Sequence, residues 1–360
     1  MQGKEAWIAL DLMGTIGPRS ILKLLEVYGK PESILAAPTR ELRELGILKK
    51  TQLASLAAGP DEKRVSGILE SLRTLNAHAV CLDDALYPRL LKDLTDPPVV
   101  LYCMGSLESI EPAIAVVGTR APSHTGREHA YTLSRDLSMK GVCIVSGLAR
   151  GIDTQAHTGA LEGIGSTVAV LGSGLDVLYP PENTSLAERI AQRGAVITEF
   201  PPGTSPDAKN FPRRNRILSG LSVGTVVIEA TLRSGALITA RMASEYGRLV
   251  MALPGSITNV RTQGPHLLIR QGATLIQNAD EVMEEIAPQV KSLIRSSAAL
   301  PDHHDDIVDL LVADPLSIEE IAQVLNKDIP EITSRVSRLE LAGAITKGEG
   351  NRFSVRREHA

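Results

Sequence analysis

Short apolar runs recur through the middle of the chain, and a stretch with the spacing of an amphipathic helix follows them. Near-continuous Val, Ile and Ala are typical of strands buried on both faces, and alternation with helices is typical of βαβ units. The pattern therefore predicts an α/β fold in which an open parallel sheet is flanked by helices. The predicted strands are AIAVVG (113–118), VCIVSG (142–147), TVAVLG (167–172), AVITEF (195–200), TVVIEA (225–230), LVMALPG (249–255) and ATLIQ (273–277).

Helical spacing replaces strand spacing in residues 1–75, where the apolar positions fit a series of short helices. Thr39 is the expected N-cap of one of them. This part of the chain is therefore predicted to form an all-helical N-terminal domain. One helical face in it is predicted to carry Ile21, Leu24, Leu25 and Tyr28.

The C-terminal part of the chain has a different outline. Residues 288–303 show no sheet periodicity and are predicted to be a linker. In 304–360, two short helices are followed by GAITKGEGNRFSV, which has the pattern of a β-hairpin. Helix, turn, helix and hairpin in this order predict a winged helix. The apolar positions of the two helices are Ile318, Ile321, Ala322 and Leu325, then Ile332, Val336 and Leu339.

Composition narrows the class of protein without naming a function. A chain of 360 residues has room for two or three domains, and a net charge of −4 means that nucleic-acid binding would need a local basic patch. Cys81, Cys103 and Cys143 are too far apart for a zinc ribbon or a disulfide framework, so we expect buried thiols in a reducing cytoplasm. Neither a signal peptide nor a membrane-spanning stretch is visible, so no membrane partner is expected.

The segment VSGLARGIDTQAH (145–157) raises the question of catalysis, because it holds Ser146, Asp153 and His157 between glycines. A serine nucleophile on a strand-to-helix turn normally has glycines on both sides in G-x-S-x-G, and this serine has one. Asp153 is the expected N-cap of the next helix, and His157 is expected to pack or to form a local hydrogen bond. The sequence therefore predicts no catalytic residue here.

Glycine-rich loops at the ends of four predicted strands favour a different function. Glycines let backbone N–H groups approach a ligand, and the N-terminus of the following helix favours an anion. Several such loops on one sheet edge predict a phosphate site, with Arg120 at its rim. Neither G-x-G-x-x-G nor the P-loop motif is present, so we expect no nucleotide cofactor and no metal. The four loops are VVGTR (116–120), SGLARGID (146–153), LGSGLD (171–176) and RSGALITA (233–240).

The stretch EFPPGTSPDAKNFPRRNRILSG (199–220) indicates which phosphate compound binds. It contains two of the three phenylalanines of the chain beside four basic residues. Bases stack on aromatic rings and phosphates pair with basic side chains, so the composition suits single-stranded nucleic acid. Alone, the stretch fits a solvated basic loop with a buried phenylalanine equally well. These residues are Phe200, Lys209, Phe211, Arg213, Arg214 and Arg216.

The same motifs resemble those of the DNA-processing protein A family (DprA/Smf), over residues of about 80–286. The resemblance rests on VVGTR, SGLARGIDTQAH, LGSGLDVLYPPEN, FPRRNRILSG, EATLRSGALITARMASEYGR and ALPGS, which occur in the family's order. It implies an extended Rossmann-like fold, a helical SAM-like or helix-hairpin-helix-like N-terminal extension and a winged helix. The domains expected from it are 1–75, 80–287, a linker at 288–303 and 304–360.

The resemblance also implies a function that is not enzymatic. Family members bind single-stranded DNA, form homodimers and hand the DNA to the RecA recombinase in natural transformation, with single-strand-binding protein as a further expected partner. One position departs from the family, since Pro181 and Glu182 follow Tyr179-Pro180 where many members have a basic residue. The expected phosphate and DNA contacts are Gly118, Thr119, Arg120, Ser146, Gly147, Arg150, Gly151, Gly172, Gly174, Lys209, Phe211, Arg213, Arg214, Asn215, Arg216, Ser234 and Gly235.

Two other functions compete with this one. Phosphoribohydrolases that cleave nucleotide monophosphates share the broad fold, but SVGTVVIEA lacks their paired glycines and its Glu229 directly follows a strand. A transcription factor would use the winged helix, where Arg335 and Arg338 lie on the expected recognition helix. Glu331 and Glu340 lie on that helix too, so protein contact is as well supported as duplex binding.

Overall fold

The computed structural model describes residues 1–108, 110–297, 306–341, 344–348 and 351–355. Helices fill the first 75 residues, a mixed sheet with flanking helices follows, and three helices with a hairpin form the end. The helices are α1 Lys4–Leu12, α2 Pro18–Tyr28, α3 Pro31–Ala36, α4 Thr39–Glu44, α5 Lys50–Ala57, α6 Glu62–Thr74, α7 Arg89–Lys92, α8 His124–Met139, α9 Ile152–Ala160, α10 Thr184–Arg193, α11 Asn210–Leu221, α12 Gly235–Glu245, α13 Gln263–Arg270, α14 Ala279–Ser297, α15 Asp306–Ala313, α16 Ile318–Leu325 and α17 Ile329–Leu341.

Nine strands form one sheet in the order β1-β2-β6-β5-β4-β3-β7-β8-β9. All seven strands predicted from apolar runs are confirmed, and they pair in parallel. Strands β1 and β2 were not predicted, and they add an antiparallel edge. The strands are β1 Ala77–Cys81, β2 Val100–Gly105, β3 Ala113–Val117, β4 Cys143–Ser146, β5 Thr167–Val170, β6 Ala195–Thr198, β7 Gly224–Val227, β8 Leu249–Ala252 and β9 Thr274–Leu275.

The strand order reverses next to β3. The chain runs from β3 through β4 and β5 to β6 on one side, and then returns to place β7 on the other side of β3. Ligands of open α/β sheets bind in the crevice at such a reversal, beyond the carboxyl ends of the strands. The topology therefore places the four glycine-rich loops on neighbouring strands, around the crevice between β3 and β7.

The N-terminal helices share a hydrophobic core with the sheet. Trp7, Leu10 and Leu24 are buried in the same cluster as Tyr102 of β2 and Ile197 of β6. The predicted helical face of α2 packs on this cluster, with Ile21 and Leu24 buried. The three cysteines are buried free thiols, as expected, and burial raises the pKa of each to about 12.

The winged helix has a separate core built on the predicted apolar positions, among them Ile321, Ile332 and Val336. Its hairpin consists of β10 Ile345–Lys347 and β11 Phe353–Val355. The recognition helix α17 faces the central domain, since a Cβ atom at Gly141 would lie 3.2 Å from the Cα atom of Ser334. Part of the surface that a winged helix would present to duplex DNA is therefore covered.

Three local predictions need correction. Helix α4 begins at Thr39 itself, with Pro38 at the N-cap position and no side-chain cap. Residues 288–297 of the predicted linker continue α14 as helix, and its remainder, 298–303, lies outside the described residues. The basic stretch is not a loop throughout, because it enters α11 at Asn210.

Candidate nucleic-acid interface

A cavity of about 310 Å³ lies in the crevice between the ends of β3 and β7. The N-terminal part of α11 and the start of α12 close it from above. Predicted site residues contribute much of its wall, and these are Gly118, Thr119, Arg120, Phe211, Arg214, Asn215, Ser234 and Gly235.

Arg120 and Phe211 meet at the mouth of this cavity. The guanidinium carbon of Arg120 lies 5.2 Å from the centre of the Phe211 ring, within the range of a cation–π contact. Arg120 is exposed and forms no ion pair with any residue that the structure describes. The pair therefore presents an exposed positive charge and a partly exposed aromatic ring side by side.

Gly172 leaves room for the Phe211 ring, which packs directly against it. A Cβ atom at this position would lie 2.9 Å from Cδ1 of the ring, closer than van der Waals contact allows. The glycine of the β5 loop thus serves ring placement rather than backbone contact with a ligand, and neither it nor Gly174 lines the cavity.

Glu229 holds the loop that carries Arg120. Its buried carboxylate accepts hydrogen bonds from Ser123 N at 2.9 Å, Ser123 Oγ at 2.7 Å and Asn259 Nδ2 at 3.1 Å. Its carbonyl accepts from Thr119 N at 2.7 Å. Both ends of the 118–123 loop are therefore fixed by one residue at the end of β7. Sequence analysis weighed this glutamate only as a candidate catalytic group, and its position right after an apolar strand was the available signal.

Asp153 is not the N-cap of α9, because Gly151 occupies that position. Its carboxylate instead accepts from Gly147 N at 3.1 Å and Ala149 N at 3.3 Å. Burial raises its pKa, and the nearby Arg214 opposes that shift. Thr119, Gly147 and Ala149 thus already donate their backbone N–H groups within the protein, so the predicted backbone cradle has fewer donors for a ligand than expected.

Ser146 and His157 both have structural partners. Ser146 is fully buried, its Oγ donates to the carbonyl of Val116 at 2.7 Å, and it does not line the cavity. Nδ1 of His157 lies 2.8 Å from Oγ1 of Thr167, which confirms the expected local hydrogen bond. Burial lowers the pKa of His157 to about 3, followed by the effect of Arg214. This imidazole stays neutral at physiological pH.

Arg214 lines the cavity from a buried position. Its side chain is buried, and Nη1 donates to the carbonyl of Gly147 at 2.7 Å and to that of Val170. Burial lowers its pKa to about 10, so the guanidinium remains charged at neutral pH. A Cβ atom at Gly147 would lie 2.6 Å from the guanidinium carbon, which explains the glycine there.

Arg213 and Arg216 lie outside the wall of this cavity, and their contact with DNA stays a prediction. Both donate to Oε2 of the buried Glu199, with Nη2 distances of 2.8 Å and 2.6 Å. Arg216 also donates to the carbonyl of Asp96 at 2.5 Å. Helical geometry gives the reason, because positions three apart on α11 share one face, and Arg214 lies between them on another.

The remaining predicted contacts lie outside the cavity wall. Lys209 pairs with Asp207 at 3.1 Å and is largely exposed. Arg150 pairs with Glu182, and its guanidinium carbon lies 5.9 Å from the centre of the Tyr179 ring. Gly151 adopts φ +82°, a left-handed conformation that glycine reaches without strain, where the chain passes the 119–122 loop. Tyr179 was not predicted as a site residue.

Two features were not found in the described ranges, a metal-binding cluster and a membrane-spanning helix. No cluster of three His, Cys, Asp or Glu residues there could hold a metal ion. Likewise, no helix in those ranges is both long and apolar enough to cross a membrane.

Comparison with known proteins identifies the chain's relatives. The family described as DNA recombination-mediator protein A matches residues 78–287, and the DprA winged helix domain matches 293–351. Protein Smf of Escherichia coli is 40% identical over 99% of this chain and 97% of its own length. DNA processing protein DprA of Streptococcus pneumoniae is 45% identical over 57% of this chain and 72% of its own length.

Two solved structures resemble this one. The X-ray structure of DprA from Streptococcus pneumoniae has a TM-score of 0.70 at 35% identity and covers 79% of this chain and 99% of that one. A Helicobacter pylori structure has a TM-score of 0.54 at 30% identity, covers 59% of this chain and 96% of that one, and concerns single-stranded DNA binding by DNA processing protein A. The motifs, the fold and these matches agree, and the chain belongs to the DNA recombination-mediator protein A (DprA/Smf) family.

Proposed function

We propose that this protein binds single-stranded DNA in the crevice between β3 and β7, with a phosphate on Arg120 and a base against Phe211. The observation that carries the proposal is the contact, at the cavity mouth, of a partly exposed ring with a guanidinium that has no ion-pair partner among the described residues. The family relationship supports it, since the Helicobacter pylori relative is described by its single-stranded DNA binding mode.

Single strands suit this site better than duplexes for two physical reasons. An aromatic ring needs a free base face, which a duplex keeps inside its stack. A cavity of about 310 Å³ has the size of a small-molecule site, so it admits a nucleotide and not a double helix.

Binding of oligothymidylate and of a duplex of equal length to the full chain tests the proposal. We expect tighter binding of the single strand, and an affinity that falls steeply with salt as counterions are released. Preference for the duplex at every salt concentration would overturn the proposal.

We further propose that the protein acts in the cytoplasm as a homodimer that delivers single strands to the RecA recombinase during natural transformation. Family membership supports this role. The exposed side chains of Leu232 (54%) and Ile238 (42%) beside the β8–β9 edge offer apolar area for self-association. Light scattering at micromolar concentration tests the dimer, and a monomer alone would exclude it. Faster RecA assembly on strands coated with single-strand-binding protein tests delivery, and an unchanged rate would count against it.

Nucleotide monophosphate hydrolysis is the competing function, and Glu229 is its candidate catalytic residue. The hydrogen bonds from Ser123 and Asn259 occupy both oxygens of that carboxylate, which supports a role in positioning the 118–123 loop over acid–base chemistry. Release of free base from nucleotide monophosphates by the purified protein would revive the enzymatic function.

A further inference from the structure

Two aromatic rings and two guanidinium groups follow one another outward from the cavity. The rings of Phe211 and Tyr179 lie 6.0 Å apart, centre to centre, at 54° to each other. Arg120 contacts the first ring, and Arg150 contacts the second ring at 5.9 Å. Rings tilted in this way offer faces to two different bases rather than enclosing a single one.

The spacing of the rings suits successive nucleotides. Bases on one strand of B-DNA rise by about 3.4 Å per step, and a single strand extended beyond that spacing can place neighbouring bases on rings 6.0 Å apart. Each ring also has a guanidinium carbon near its centre, at 5.2 Å for Phe211 and 5.9 Å for Tyr179, and such a group can pair with a phosphate beside a stacked base.

The loop carrying Tyr179 is fixed to the same scaffold as the cavity. Nδ2 of Asn183 donates to the carbonyl of Leu148 at 2.8 Å and to Oγ1 of Thr154 at 3.0 Å. Oγ of Ser173 donates to the carbonyl of Val177 at 2.6 Å, which closes the other side of the loop. The second ring therefore stays in place without DNA, and binding costs little ordering entropy there.

Glu182 forms an ion pair with Arg150, the arginine next to this ring. Nη2 of Arg150 lies 3.1 Å from Oε2 of Glu182, and a second hydrogen bond joins Nε to Oε1. The two side chains are 52% and 50% exposed, so water screens the pair and a phosphate can compete for the arginine. The same carboxylate repels a phosphate that approaches.

We propose that Tyr179 and Arg150 form a second nucleotide subsite beside Phe211, and that Glu182 weakens this subsite by competing with the DNA phosphate for Arg150. The subsite takes the nucleotide adjacent to the one held at Phe211 and Arg120, so the inference rests on the proposed function. Its occupant is a single-stranded nucleic acid with little sequence bias, because every base has a face that stacks.

Replacement of Glu182 tests the competition. Glu182→Gln should bind oligothymidylate about three- to tenfold more tightly at low salt, with the gain shrinking as salt screens the charges. Glu245→Gln is the matched control, since it makes the same charge change at the far end of α12 and should leave affinity unchanged. An equal or lower affinity of Glu182→Gln would overturn the competition.

Replacement of the ring tests the subsite itself. Tyr179→Leu should weaken binding about 5- to 150-fold, the range for losing one stacked base, while Tyr179→Phe keeps the ring and most of the affinity. An oligothymidylate with one 5-iodouracil should cross-link to Tyr179 and Phe211 at neighbouring positions. Equal affinities of the Leu and Phe variants, with no cross-link to Tyr179, would exclude the subsite.

Variants of the first subsite separate this inference from the proposed function. Arg120→Ala and Phe211→Leu must weaken binding if the crevice holds DNA at all. If both weaken binding while Tyr179→Leu and Glu182→Gln change nothing, the second subsite is wrong and the function stands. If the first two also change nothing, the crevice itself is wrong.

Discussion

Arg120 is the residue whose replacement tests the crevice most directly. Its guanidinium pairs with no described carboxylate, so a phosphate gains the full benefit of its two-pronged donation. Arg120→Ala should cost about 1.5–3 kcal/mol of binding free energy, which is roughly tenfold to a hundredfold in affinity for single strands. Arg120→Lys should restore part of it, because an ammonium cannot reproduce the fork.

The control for Arg120 is another exposed arginine. Arg40 pairs with Glu44 on the surface of α4, away from the crevice, and its replacement by Ala changes net charge equally. Equal losses in the two variants would show that overall charge, rather than this site, governs binding.

Glu229 should act through Arg120 although it never meets DNA. Glu229→Gln turns one acceptor of the Ser123 hydrogen bonds into a donor, so the 118–123 loop should shift and single-strand affinity should fall about tenfold. A double-mutant cycle with Arg120→Ala is the measurement. We expect the second substitution to cost much less in the presence of the first, and additive losses would contradict a positioning role.

The arginines of α11 show that the sequence predicts a basic cluster but not the partners of its individual side chains. Composition correctly indicates a basic cluster, but a helix distributes neighbouring positions around its axis. Arg213 and Arg216 therefore reach Glu199, and Arg214 is buried against Gly147. Their partners come from distant parts of the chain, and local sequence carries no record of them.

The buried His157 connects helix α9 to Thr167 of β5, and this contact should make the free energy of unfolding depend on pH. The pKa of His157 is lowered to about 3, so the unfolded chain binds its proton first as pH falls below the ordinary value of 6.5. The stability that the neutral imidazole contributes is present above pH 6.5 and lost towards pH 3. Between pH 6.5 and 4 this loss is roughly 3 kcal/mol in unfolding free energy.

Urea unfolding of the His157→Gln variant at several pH values measures this effect. The variant should lose less stability than the wild type between pH 6.5 and 4, and an unchanged slope would contradict the assignment.

Asp11 acts in the opposite direction, because burial raises its pKa to about 7. The stability that the protonated carboxyl contributes is present below pH 3.8 and lost as pH rises to 7. Asp11→Asn should therefore steepen the acid destabilisation.

Elements differ in how far the sequence predicts them. Five of the seven parallel strands, β3 to β7, are buried at every position, so they appear as apolar runs, whereas β8 and β9 at the far edge are only partly buried. Strands β1 and β2 lie at the antiparallel edge, and β1 (AHAVC) mixes exposed and buried positions over only five residues. Its pairing with β2 depends on residues some twenty positions away, which a local pattern cannot reveal.

At the scale of the whole molecule, the winged helix has a hydrophobic core separate from those of the rest of the chain. The winged helix packs on its own core, and the crevice lies on the sheet at a distance from that core. A chain ending at Ser297 should therefore fold and keep its single-strand affinity within about threefold, since no crevice contact is removed. Oligothymidylate binding by the truncated protein is the measurement, and a folded truncation without binding would place the site elsewhere.

The predicted boundary between residues 75 and 80 remains a proposal, and the shared core makes it a poor place to cut. A fragment beginning at residue 80 would lose most of β1 and the helices that cover Tyr102. If such a fragment lost DNA binding, the cause would be the newly exposed apolar surface rather than a missing DNA contact.

The N-terminal helices share a core with the sheet, whereas the winged helix has its own, and this difference decides where the molecule bends under a mechanical force. Bending between α1–α6 and the sheet would open their common core to water, so these parts resist load as a single rigid block. Rotation of the winged helix would break the contacts of Ser334 and Ser337 with Gly141 and the packing of α17 against α14, while its own core stays closed. A force that acts between the winged helix and the rest of the chain would therefore displace the winged helix before it deformed the crevice.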